Sequence, residues 1–342
     1  MSVVRPETAA ILIAATIAVF ACTSRSERAS VESEQRVRAE AEQVAETVIG
    51  IERAALERWG RGDPEGFLQT SSENCGYFDP FNEKRLDGRA AVSRHFGGPL
   101  GRASSTGLEM IAPRVQVFGG AAVLTYNLAG VEPGQVGAPT GRTRWHATAV
   151  YALAAGQWRR VSTHRSFTDS TLRRMAAGGR LAIEPVAIEG DSVAAPGDDT
   201  VYAMERAALD RWGRGDPDGF TEIIAEDYSY FDPALESRLD GRERARTYYE
   251  PVRGKIKVDR WEYVEPRIQR VGDLAVLTFR LTSYTGDANG RENQGAFWQT
   301  TEVYHRSEGR WSLVSTHWSY TPSWLRVMQE RRAFERPQEP AA

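Results

Sequence analysis

Residues 52–67 read ERAALERWGRGDPEGF, and residues 205–220 read ERAALDRWGRGDPDGF. The two stretches differ only by Asp for Glu at two positions, and they lie 153 residues apart, from Glu52 to Glu205. The same offset carries Tyr77-Phe78-Asp79-Pro80 onto Tyr230-Phe231-Asp232-Pro233, and Arg85-Leu86-Asp87-Gly88-Arg89 onto Arg238-Leu239-Asp240-Gly241-Arg242. Near the end of each copy it carries Ser162-Thr163-His164 onto Ser315-Thr316-His317, and then Leu172-Arg173 onto Leu325-Arg326. A constant offset leaves no net insertion between these motifs, so one domain has been duplicated.

Working outward from the repeat, the first unit is expected over residues 36–168 and the second over 199–321. Residues 169–198 then form a linker, rich in Gly, Pro and acidic residues from Ala176 to Asp198. Residues 322–342 give a short helix and a Pro-rich tail. Within the second unit, apolar spacing predicts a helix over Val201–Gly213. Asp216-Pro217 starts another that runs through Ala225. A short strand follows at Tyr228–Phe231, and Asp240-Gly241-Arg242-Glu243 reads as a capping-box variant opening a third helix to Tyr249. Four β segments come next: Trp261–Val271, Leu274–Tyr284, Ala296–His305 and Trp311–Tyr320. In the second of these, Ala275, Leu277, Phe279 and Leu281 alternate with Val276, Thr278, Arg280 and Thr282, so one face packs and the other is mixed.

The chain has 342 residues, 41% hydrophobic and 26% charged, with a formal net charge of -3. These values fit soluble globular domains and show no basic patch of the nucleic-acid type. Two cysteines exclude a disulfide scaffold. There is no HExxH, Cys cluster, Gly-rich phosphate loop or Gly-x-Ser-x-Gly elbow. No metal, cofactor or covalent hydrolase chemistry is therefore expected.

The N-terminus reads as an address. An uncharged run from Thr8 to Ala21 follows Arg5, and its apolar part, Ala9–Ala21, is short for a membrane span. It ends Val19-Phe20-Ala21-Cys22, which resembles a bacterial lipobox. The expectation is a signal segment over residues 1–21, lipidation of Cys22 and a polar tether over 22–35, placing an exported protein on a membrane. Plain secretion and an uncleaved anchor are the alternatives.

The order α-α-β-α-β-β-β-β resembles the SnoaL-like (polyketide-cyclase-like) domains of the nuclear transport factor 2-like superfamily. The residues that carry the resemblance are Arg211-Trp212-x-Arg214-Gly215-Asp216, Tyr230-Phe231-Asp232-Pro233, Leu239-Asp240-Gly241-Arg242, Trp298-x-x-Thr301-Glu302-Val303-Tyr304, and Gly309-Arg310-Trp311 running to His317-Trp318-Ser319. The resemblance implies an α+β class. Two tandem cone-shaped domains would each wrap a curved, mainly antiparallel sheet on about three helices around a pocket. Such domains pair through their sheets, so the two copies are expected to form an intrachain pseudo-dimer, with a homodimer as the alternative. Function is open, because the superfamily hosts enzymes and binding modules alike.

Candidate chemistry follows from residue type. His164 and His317, on the last strand of each unit, are acid–base groups if they line the pockets, and satisfied half-buried histidines if not. Asp79 and Asp232 are proton-shuttling carboxylates in aromatic surroundings, or caps of Asp-Pro turns. Arg280 and Glu302 replace Asn127 and Ala149 of the first unit. Pointing inward they would form a buried pair or bind a polar ligand, and outward an exposed bridge. Tyr228 and Tyr248 likewise stand where the first unit has Cys75 and His95. Trp145, Trp298, Trp158 and Trp311 are expected in cores. The tentative catalytic pair is Asp232 and His317; the ligand-binding set is Tyr230, Trp261, Arg280, Trp298, Glu302, Tyr77, Asp79 and His164. The leading expectation is an exported binding protein for a small organic molecule, with a more polar second pocket. A cofactor-independent isomerase, cyclase or dehydratase, and a non-catalytic scaffold, are the alternatives.

Overall fold

Alternation along the strands decides the architecture, because each strand offers one face to helices and the other to a second sheet. A computed structural model describes residues 6–97, 106–131, 142–177, 199–286, 289 and 291–335, with side chains described for 30–97, 108–130, 143–175, 199–286, 289 and 291–330. The chain divides into Met1–Thr47 and Val48–Ala342. The first of these carries most of the long helix α1 (Pro6–Gly60). The tether expected over residues 22–35 is therefore helical in its backbone. The signal segment 1–21 and the lipobox Cys22 lie outside the described residues as far as their side chains are concerned.

In Val48–Ala342 the elements follow each other twice. After α1 come α2 (Glu65–Thr70), β1 (Ser71–Phe78), β2 (Leu86–Asp87), α3 (Arg89–Phe96), β3 (Thr106–Phe118), β4 (Ala121–Val131), β5 (Arg142–Ala154), β6 (Gln157–Phe167) and α4 (Asp169–Ala177). The second copy has α5 (Thr200–Gly213), α6 (Asp218–Thr221), β7 (Ile224–Phe231), β8 (Leu239–Asp240), α7 (Arg242–Tyr249), β9 (Arg260–Val271), β10 (Leu274–Gly286), β11 (Glu292–Ser307), β12 (Arg310–Tyr320) and α8 (Pro322–Glu335). Among the described residues each sheet has six strands, ordered β2-β1-β6-β5-β4-β3 and β8-β7-β12-β11-β10-β9. Only β1–β6 and β7–β12 pair in parallel. The fold is α+β with two open, curved mixed sheets.

Local chemistry accounts for the repeated motif. Arg211 Nε donates to Asp216 at 2.7 Å, and the other oxygen of Asp216 accepts the N–H of Asp218 at 3.0 Å. Arg58, Asp63 and Glu65 repeat the arrangement. The conserved spacing ends in Gly219, where a Cβ would lie 2.7 Å from the Ala208 carbonyl oxygen, so α6 crosses α5 at a distance only glycine allows. The helix expected from Asp216 to Ala225 is a single turn, because Ile224 already pairs with Leu313 as strand. The capping box expected at Asp240 is absent. Gly241 precedes α7 without a side-chain cap, and the Asp240 carboxylate is taken by Arg238 at 2.7 Å.

The convex faces of the two sheets pack on each other. A valine-rich core joins them, built from Val123, Val150 and Val161 with Val276, Val303 and Val314. Around it, polar contacts repeat reciprocally. Arg85 donates to the carbonyls of Glu265 (2.8 Å) and Thr278 (3.1 Å), and Arg238 donates to those of Ala112 (2.8 Å) and Thr125 (2.9 Å). Ala112 and Glu265 sit at register shifts with φ of 47° and 51°. These bulges bend the strands and turn the carbonyls toward the other domain. The two copies therefore form an intrachain pseudo-dimer.

Candidate ligand-binding site

The inner face of the second sheet and α5–α7 enclose a cavity of about 230 Å³. Its wall is aromatic: Trp212, Trp261, Trp298 and Trp318 with Phe220, Tyr228, Tyr230 and Tyr249, closed by Leu209, Ile256, Leu281 and Thr316. Asp232 is the one charged side chain in this lining. Strand parity explains the set. On β12, Thr316 and Trp318 face inward while Ser315, His317 and Ser319 face the other sheet. Trp261 is oriented by donating its indole N–H to the Leu209 carbonyl at 3.0 Å.

Asp232 caps a turn and also reaches the cavity. Oδ1 accepts the N–H of Ala234 at 2.8 Å, and Oδ2 accepts the hydroxyls of Tyr248 at 2.7 Å and Tyr230 at 3.1 Å. Burial pushes its pKa up, and these neutral donors only partly offset that. The first domain holds the corresponding carboxylate differently. Asp79 accepts from His95 Nε2 at 2.8 Å and from Asn82 at 2.7 Å. Burial works to raise the Asp79 pKa, but His95 and the hydrogen bonds hold it below the ordinary range.

The interiors diverge further. Among the described residues the first cone shows a cavity of about 10 Å³, touching Tyr77, Phe67, Phe96, Arg160 and Arg165. Such a space holds at most one water. Arg160 pairs with buried Glu52 at 2.7 Å, and Arg165 lies 3.8 Å from it. Tyr126 donates to Glu52 at 2.6 Å, and Tyr151 also donates to it. Burial raises the Glu52 pKa, and the two guanidinium groups with the two hydroxyls bring it below normal. In the second cone Leu313 and Trp318 occupy the places of Arg160 and Arg165. Glu205, the counterpart of Glu52, is paired with Glu302 instead. The Tyr304 hydroxyl bridges the two carboxyls, 3.0 Å from Glu205 Oε2 and 2.8 Å from Glu302 Oε2. Burial, then the neighbouring Glu205 charge, raises Glu302 well above the carboxylate range, so Glu302 keeps its proton.

Of the residues singled out in the sequence, the structure gathers Tyr230, Asp232, Trp261 and Trp298 around the second cavity. The others lie elsewhere. His317 is not beside Asp232: its Nδ1 contacts Thr148 Oγ1 at 3.0 Å and its Nε2 contacts Ser166 Oγ at 2.8 Å, across the sheet interface. His164 makes the reciprocal contacts to Thr301 (3.1 Å) and Ser319 (2.8 Å). The two imidazoles stack with centroids 3.9 Å apart. Burial drives the pKa of His164 down to about 3, and that of His317 far below its ordinary value. Both are neutral packing groups, so the Asp232–His317 pair does not form. Arg280 and Glu302 do not meet either, because their strand positions face opposite sides. Arg280 pairs with Glu265 at 3.3 Å toward the interface, and Glu302 points into the cone below the cavity wall. Tyr77 and Asp79 line the filled first cone and its ion pair. Tyr248 as the Asp232 partner, and Glu205, were missed. The offset comparison carries a signal for both, since His95 becomes Tyr248 and the arginines that answer Glu52 vanish.

A model of the SnoaL-like domain family matches residues 53–161, and a model of the calcium/calmodulin dependent protein kinase II association domain matches residues 199–322. The chain is a tandem pair of SnoaL-like domains of the nuclear transport factor 2-like fold. Solved structures similar to it include a putative ketosteroid isomerase from Parabacteroides distasonis, at 36% identity over 35% of this chain and 85% of that one, with a TM-score of 0.31. The association domain of C. elegans CaMKII is 24% identical over 35% of this chain and 92% of its own, at a TM-score of 0.31. A putative association domain from Xanthomonas campestris is 22% identical over 40% and 99%, at 0.32.

Proposed function

We propose that this SnoaL-like pair binds a small, largely apolar organic molecule in its second cone, with the first cone as structural partner. The observation that carries this is the contrast between matching interiors among the described residues: about 230 Å³ lined by rings in one, about 10 Å³ beside two arginines in the other. Concave, mostly apolar space with a few oriented polar groups is the usual form of a small-molecule site. Four tryptophans in the wall make binding visible as a change in intrinsic fluorescence. A panel of small aromatic compounds is expected to quench wild-type protein and to raise its melting temperature. Thr316→Trp, which fills the cavity from β12, is expected to abolish both effects while Thr163→Trp in the first cone leaves them. Equal loss in both variants would remove the second cone from the function.

A second reading has a specific observation behind it. Asp232, its proton affinity raised by burial, touches the cavity and suits proton transfer next to a carbonyl. In a cofactor-independent isomerase or cyclase it would act without His317. Assembly, which the association-domain name carries, finds less support, because the convex sheet face of each domain is covered by the other. Export as a lipid-anchored envelope protein is supported by the uncharged run before Cys22. Fatty-acid labelling that persists in Cys22→Ala would refute it.

A further inference from the structure

The charge inventory of the two cones differs by more than one residue. In the first, Glu52 and Asp79 are answered by Arg160, Arg165 and His95. In the second, Leu313, Trp318 and Tyr248 stand in those three places, while Glu205 and Asp232 are kept and Glu302 is added. The second cone thus loses two arginines and a histidine and gains a carboxyl. Glu205 and Glu302 meet at the Tyr304 hydroxyl, outside the cavity lining. Asp232 has only neutral donors, and among the described residues no cationic side chain forms an ion pair with it. A carboxylate bordering an apolar cavity without a counter-charge is costly unless something brings that charge in.

The walls are matched to the same sign. Indole and phenol rings present negative faces, and a cation enclosed by several of them is stabilised most when water is excluded. Trp212, Trp261, Trp298 and Trp318 surround the space into which Asp232 looks. Aliphatic and aromatic lining offers few oxygen ligands to a hard metal ion, whereas an ammonium whose charge is spread over methyl groups gains from both ring faces and carboxylate.

Building on the small-molecule reading of the second cone, we propose that its ligand class is an organic monocation: a tertiary or quaternary ammonium compound with an apolar body, its charged head held between the tryptophan rings and Asp232.

The test uses the full chain, followed by tryptophan fluorescence and calorimetry. The probes are choline, benzyltrimethylammonium, 3,3-dimethylbutan-1-ol (the uncharged carbon isostere of choline) and indole. The cations are expected to bind at least about tenfold more tightly than the isostere. Asp232→Asn is expected to lower cation affinity at least about tenfold and to change indole binding less than about twofold. Asp79→Asn, in the filled cone, leaves both unchanged. Tyr248→His supplies the imidazole partner that Asp79 has in His95, and at pH 6 it is expected to weaken the cations selectively. This variant reports even if Asp232→Asn fails to fold. Indole binding with no preference for the cations would overturn the charge assignment and leave the small-molecule site standing. Failure of all four probes to bind folded wild-type protein would overturn both.

Discussion

At the scale of single residues, the two halves show how one buried carboxyl is kept in two ways. Glu52 is ionised and answered by arginine, whereas Glu205 is answered by a second acid. Removing one partner of a buried pair usually costs about 3–5 kcal/mol, which makes each solution hard to leave by a single substitution. The Glu205–Glu302 pair has a signed pH dependence. Glu302 is raised well above its ordinary 4.5, so the folded state holds a proton that the unfolded chain releases. Its contribution to stability is intact below about pH 4.5 and is lost as pH rises toward the folded-state pKa. Glu302→Gln keeps a neutral donor at this place. The variant should gain about 1–3 kcal/mol over wild type at pH 8 and little or nothing at pH 4. Urea denaturation at the two pH values measures this, and an equal change at both would mean that Glu302 does not keep its proton in the folded state.

At the scale of elements, the last strand of each domain divides its labour by parity. On β12, Thr316 and Trp318 face the cavity, and His317 and Ser319 face the other sheet. His146 joins this layer by stacking on Phe231 at 4.5 Å, and burial lowers its pKa to about 4. Histidines kept neutral by burial cost stability as pH falls, because only the unfolded chain takes up protons. The loss begins near pH 6.5 and continues down to the folded-state values of about 4 for His146 and about 3 for His164. Each such group contributes about 1.4 kcal/mol per pH unit at full effect. Denaturation midpoints should therefore drop steeply between pH 6.5 and pH 5, and His317→Gln should flatten the drop by roughly one histidine's share. An unchanged slope would mean that His317 is reached by water. Much of this was legible beforehand. The β segments fall within a few residues of their expected bounds, since alternation and turns are local properties. The same alternation sets Arg280 opposite Phe279 and Leu281, and His317 opposite Trp318. What a single strand does not reveal is which of its two faces is covered by another sheet. That depends on contacts between distant parts of the chain, such as Thr148 with His317, 169 residues apart, and so the histidines read as pocket groups.

At the scale of the molecule, duplication has freed one copy from symmetry. In a pair of identical chains any change in one cone is made in both. Here the interface stays reciprocal, down to Ser170 and Ser323 donating to Glu236 and Glu83 at 2.9 Å and through a matching hydroxyl contact at 2.6 Å. The interiors, screened from each other by two sheets, have drifted apart. The covalent link then serves to hold unlike halves together rather than to create their contact. The contact itself consists of a valine-rich core ringed by arginine–carbonyl and arginine–carboxylate bonds, such as Arg267 with Asp87 and Arg114 with Asp240 at 3.1 Å. Apolar burial supplies most of its strength, and the buried polar contacts fix its register. A protease site introduced within residues 178–198 tests this division. After cleavage the two fragments should elute together from a sizing column and keep the melting temperature of the intact chain within a few degrees. Val276→Asp places an unpaired charge in the interface core and should release the fragments once the chain is cut. Fragments that separate from the otherwise wild-type protein would show that the linker, and not the paired sheets, maintains the pseudo-dimer.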